Sequence, residues 1–158
     1  MQDPDKQFAD DLRREDDVGL VLRGHLHVEH QLMELASMFL PFADRCDWGR
    51  FSFRSKVELA YACGMPGDLK DLLERLGTLR NDFAHKLGAS LSQRATLDLY
   101  NSLSKRLGDG LRGSYQAMGK GALSSPSSLE PRDLLILIFL TARQATKAAV
   151  VRLQNAKA

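Results

Sequence analysis

Apolar residues recur along most of this chain at spacings of three and four, the period of a helix packed on one side, and no sustained two-residue alternation marks a strand. The first such segment predicts a long helix over residues 18–40, capped by Asp16 or Asp17 and ended by Pro41. Its apolar face is expected to carry Val18, Val21, Leu22, Leu32, Met33, Ala36, Phe39 and Leu40. Ser52 then predicts the cap of a helix over 53–63, closed by Gly64 and the Pro66-Gly67 turn. The clearest pattern spans 68–87, where Leu69, Leu72, Leu73, Leu76, Leu79, Phe83 and Leu87 share heptad-like spacing before Gly88 stops the helix. A fourth helix is expected over 92–107 and a last one over 131–155, with Pro131 in its first turn.

Two stretches lack such a face. Residues 1–16 are polar and mostly acidic, which predicts an arm or a short peripheral helix. Residues 108–128 are rich in Gly and Ser, which predicts a mobile loop with room for a helical turn or more over 111–118. The expected fold is therefore all-α, an up-and-down bundle of about five helices filling residues 17–158 as one domain.

Composition agrees with a single domain: 158 residues, 44% of them hydrophobic, suffice to bury a core. Charge is less informative, since 22 basic residues face 20 acidic ones, and a net +2 leaves any basic surface to a local patch. Cys46 and Cys63 form no Cys-x-x-Cys motif and no apolar signal segment follows Met1, so a reduced, cytoplasmic setting is expected. The longest apolar run, 134–140, is seven residues, against the ~20 of a membrane span, and reads as a helix at the centre of the bundle. No glycine-rich phosphate loop or nucleophile elbow occurs, and no cofactor is expected. His25 and Glu29 fall on one side of their helix and His27 and His30 on another, so no metal site is expected either.

The informative residues are polar ones inside apolar faces. Glu29 projects within about 20° of the centre of its helix face, with His25 one turn before it, while Arg23, His27 and His30 point away. On the next long helix but one, Arg80 falls among Leu69, Leu73, Leu76 and Phe83. An unpaired buried charge costs several kcal/mol, which predicts that Glu29 meets Arg80, with His25 as a third member. Such a tie serves helix register or a site equally well. His85 lies about 140° around the helix from Arg80 and one turn beyond Asn81, with which it shares a side. A guanidinium holds phosphate, an imidazole moves a proton and an amide orients either, so Arg and His are the natural pair for metal-free cleavage of RNA by its own 2′-hydroxyl. A histidine in the last turn of a helix also serves simply to meet the final carbonyls.

The segments FSFRSKVELAYACG at 51–64 and LLERLGTLRNDFAH at 72–85, preceded by RGHLHVEHQL at 23–32, resemble HEPN-type helical domains, especially the branch of the mannitol operon repressor. The resemblance covers residues 18–88, and Arg80-Asn81-x-x-x-His85 is its most specific part. Many HEPN proteins are metal-independent endoribonucleases of toxin or phage-defence type, with an Arg-x-x-x-x-His site built across a homodimer. The resemblance thus implies a homodimer, RNA as substrate and a cognate antitoxin or regulatory protein as partner. It implies Arg80 as phosphate contact, Asn81 beside it, His85 as acid/base group and Glu29 as the residue positioning Arg80. The mannitol repressor branch implies instead a non-catalytic transcriptional regulator or protein-interaction module.

Overall fold

A run of nine buried residues, 134–142, fixes the centre of the molecule. The computed structural model describes residues 3–158, which form seven α-helices and no strand. They are α1 (Pro4–Arg13), α2 (Asp17–Ser37), α3 (Phe53–Ala62), α4 (Gly67–His85), α5 (Gln93–Asn101), α6 (Lys105–Tyr115) and α7 (Pro131–Lys157). The buried run belongs to α7, which packs against α1, α2, α4, α5 and α6. By length and composition α7 is able to cross a membrane, longer than the seven-residue run at its centre implies, but two-thirds of its most apolar window is buried inside the bundle. Phe139 on α7 meets α2 at Gly24, where a Cβ would stand 2.7 Å from the ring.

Caps define the helix starts as the sequence predicts. The side chain of Asp16 accepts from the Gly19 N–H at 2.7 Å, and Ser52 accepts from the Ser55 N–H at 3.1 Å. Helix α4 ends at His85, two residues earlier than expected, with Lys86 extended and Leu87 exposed rather than on the apolar face; Gly88 follows in the left-handed region at φ 73°.

The expectations are refined in several places. Of the arm and the short helix expected for the acidic start, the helix is found, and it is part of the core: α1 buries Phe8, Ala9 and Leu12 on one face and is pinned to α7 by Asp5, which accepts from Arg143 at 2.8 Å and Gln144 at 2.9 Å. Three apolar residues suffice because they sit at helical spacing against an already apolar neighbour. The single helix expected over 92–107 is two, α5 and α6, because Ser102 turns its hydroxyl back to the Leu99 carbonyl and Ser104 caps a new helix at the Leu107 N–H. The helical turn allowed for over 111–118 is present and begins earlier, because the Gly/Ser stretch is helical from its start through Tyr115, with Leu107 and Leu111 buried on one face; residues 121–125 are a loop. One π-turn, Gln116–Lys120, extends it. The bundle therefore has seven helices rather than about five. On α2 the buried face is centred on Leu20, Val21, Gly24, Val28 and Leu35, so that Val18 is exposed. With α1, α3, α4 and α7 all touching α2, its covered surface is wider and rotated relative to a single-stripe expectation.

The contact between Gly24 and Phe139 predicts that Gly24→Ala destabilises the protein by about 1–3 kcal/mol through overpacking. Gly113 on α6 gives the control, because a Cβ there would meet nothing within 4 Å. Gly113→Ala is expected to stabilise by about 0.5–1 kcal/mol. Urea unfolding of the two variants measures both.

Candidate functional site

On α3, Phe53, Lys56, Val57 and Ala60 follow the i, i+3, i+4, i+7 spacing of an inward stripe. Lys56 is therefore drawn into the interior with its neighbours, and its side chain is only 8% exposed. Its Nζ donates to Glu29 Oε1 on α2 at 2.7 Å. The other carboxylate oxygen, Oε2, faces Nδ1 of His25 at 3.8 Å. His25 is 3% exposed, its ring lies 4.1 Å from that of Phe53, and its Nε2 has no hydrogen-bond partner. Burial is the main reason that the imidazole is held down to about 4, and the Arg80 and Lys56 charges push the same way against Glu29. At neutral pH this ring is uncharged.

Arg80 does not pair with Glu29, contrary to the expectation drawn from helix faces. No carboxylate of the described residues lies within 4 Å of its guanidinium, and its Nη1 donates instead to the neighbouring Asn81 Oδ1 at 3.1 Å. Lys56 has taken the position assigned to it. The signal for Lys56 was present in the sequence, as a lysine inside an apolar stripe, but a long aliphatic stem lets such a residue pass for a boundary position.

Between α2, α3 and α4 lies a cleft of about 660 Å³. His25 and Glu29 line it from α2, Phe53 and Arg54 from α3, and Glu74, Thr78, Arg80 and Asn81 from α4, with Phe51 and Ser52 at the entry to α3. Arg54, like Arg80, has no ion-pair partner among the described residues. Glu74 leans toward Lys70 at 3.8 Å, and Glu29 is bound by Lys56. Two guanidiniums thus stand free beside carboxylates that are already engaged, which suits the cleft to an anion such as a phosphate.

The structure gathers His25, Glu29, Arg80 and Asn81 around this cleft and leaves His85 out of it. His85 is the last residue of α4 and is exposed, as is Asn81, while Arg80 is half-buried. The expected separation of Arg80 from His85 around the helix is present. Asn81 and His85, four residues apart on α4, share a side of the helix as expected, but only Asn81 reaches the cleft wall, where it accepts from Arg80. Among the described residues no three His, Cys, Asp or Glu side chains converge as metal ligands. His27 packs edge-on against Phe8 at 5.0 Å, and His30 faces Glu34 at 3.5 Å on the surface.

No protein-family model, curated protein or solved structure matches the chain.

The pairing of Lys56 with Glu29 has consequences for stability. Lys56→Ala leaves the part-buried Glu29 without its cation and lowers stability by about 2–3 kcal/mol, below the ~3–5 of a fully buried pair, whereas Arg80→Ala changes it by less than about 1 kcal/mol; chemical denaturation distinguishes them. For His25, whose folded value near 4 lies below the ordinary 6.5, the unfolded chain takes up more protons between those pH values. The stability owed to the neutral imidazole is complete above about pH 6.5 and is lost as the pH falls toward 4. The slope of unfolding free energy against pH over that window flattens in His25→Gln.

Proposed function

We propose that the chain is a HEPN-like RNA-binding protein whose α2–α3–α4 cleft receives a backbone phosphate, with Arg80 as the anion contact, Asn81 orienting it and His85 as the acid/base group of a metal-independent endoribonuclease. The observation that carries this reading is the free guanidinium of Arg80, half-buried in a cleft with Arg54 and compensated by no carboxylate. Half-burial raises its attraction for an anion above that of a surface arginine, because less water competes. His85 stands outside its own cleft, so in this reading the cutting site is composite and a homodimer brings the His85 of one copy toward the Arg80 of the other.

The exposure of His85 and the structural pairing of Glu29 with Lys56 favour a second reading, a non-catalytic regulator or interaction module of the mannitol repressor kind. In that case the cleft still binds an anion, and the partner is RNA or a regulatory protein without cleavage.

The test is an RNA cleavage and binding assay in the presence of a chelator. The first reading predicts cleavage by the wild type, loss of cleavage with retained binding in His85→Ala, and binding weakened about tenfold in Arg80→Ala with the salt dependence reduced by about one phosphate contact. Equal cleavage by wild type and His85→Ala overturns the assigned role of His85. Binding without cleavage across varied RNAs leaves the regulator, and no RNA binding at all removes RNA from both.

A further inference from the structure

His25 is a cleft residue whose chemistry the phosphate reading does not use. Its imidazole is uncharged at neutral pH and therefore carries one N–H and one bare nitrogen. Glu29 decides which is which. With Oε1 bound to Lys56, its remaining oxygen Oε2 faces Nδ1 at 3.8 Å and favours the proton there. Nε2 is left as a buried acceptor with no donor. Native interiors rarely leave such an atom unanswered, since its desolvation is not repaid.

Solvent does not reach Nε2, and the side chain that stands over the imidazole is Phe53, 4.1 Å away ring to ring. Phe53 is only half-buried, at the first turn of α3 on the wall of the same cleft. Under it lies Gly77, where a Cβ would come within 2.9 Å of the ring. The absence of a side chain at Gly77 thus gives this ring its seat, and Phe53 is the wall that must shift for a ligand atom to touch His25. A ligand that fits must present an anion to Arg80 and Arg54 and, beside it, a hydrogen-bond donor to an acceptor that is itself uncharged. Ribose offers that combination in the 2′-hydroxyl next to the 3′-phosphate, and deoxyribose lacks the donor.

We propose that His25 Nε2 accepts the 2′-hydroxyl of a ribonucleotide whose phosphate rests on Arg80 and Arg54, so that His25 is the residue by which the cleft selects RNA over DNA. The inference rests on the phosphate reading of the same cleft. It assigns His25 a specificity role in binding and requires no proton transfer.

The experiment measures affinities of three single-stranded oligonucleotides of one sequence: RNA, DNA and 2′-O-methyl RNA. The wild type is expected to favour RNA over both others by about tenfold, the worth of one good hydrogen bond to a buried acceptor. His25→Phe is expected to bring RNA down to the DNA affinity and leave DNA unchanged, which a merely structural role would not do. His25→Gln, which retains an acceptor oxygen, is expected to recover part of the preference and serves also if His25→Phe does not fold. Arg80→Ala weakens all three alike. Equal affinity of the wild type for RNA and DNA overturns the role of His25 while leaving the phosphate site standing, as does a preference that survives in His25→Phe. Failure of all three oligonucleotides to bind overturns the phosphate site and the inference with it.

Discussion

A helix with no polar face has to be enclosed, and that requirement organises this molecule. Residues 134–142 of α7 are all buried, so neighbours must cover every side of it. Five other helices do so, among them α1 and α6, which by composition alone have little claim to a core. The few polar groups inside α7 are handled within the helix: Thr141 and Thr146 donate to the carbonyls of Leu137 and Ala142, each at 2.8 Å. Gly24 lets α2 approach Phe139 closely, and beside it on α2 His25 and Glu29 line the cleft with α3 and α4.

Within that edge one carboxylate is offered to two cations. The choice is settled by burial. Lys56 is 8% exposed, and leaving it uncompensated would strand an ammonium almost without water. Arg80 is half-buried, its charge is delocalised and more weakly hydrated, and Asn81 meets one of its N–H groups, so leaving it without a carboxylate costs far less. Glu29 therefore goes to the deeper cation. The unpaired charge is left on the residue that faces the cleft, which is the basis of the proposed anion site.

The elements that were legible in the chain are those with local punctuation. Helices α3 and α4 have a serine cap or a turn at one end and a positive-φ glycine at the other, and α7 begins at a proline. What was not legible depends on tertiary partners. The acidic residues around Phe8, Ala9 and Leu12 mask an apolar face that matters only because α7 is there to receive it. The glycines of α6 lower its helix propensity, and packing of Leu107 and Leu111 overrides them. In the site, helix faces singled out Glu29, His25 and Arg80, and all three line one cleft. The pairing among them turns on the relative rotation of three helices, which no single-helix projection contains, and on Lys56, whose stem blends into an apolar stripe.

The placement of His85 constrains any chemistry that uses it with Arg80. Five residues along an α-helix turn the chain through one revolution and about 140° more, so the two side chains leave α4 in diverging directions. Arg80 enters the cleft and His85 stands at the exposed helix end, followed by the fully exposed Leu87. In the proposed reading a site using both is shared between copies, whereas within one copy the imidazole lining the cleft is that of His25. The surplus charge in the cleft amounts to two guanidiniums whose neighbouring carboxylates are already engaged, against a net +2 for the whole chain. On the proposed reading, contact with a nucleic acid is confined to one or two phosphates per copy, and discrimination comes from groups such as His25 that touch what lies beside the phosphate rather than from a broad basic surface.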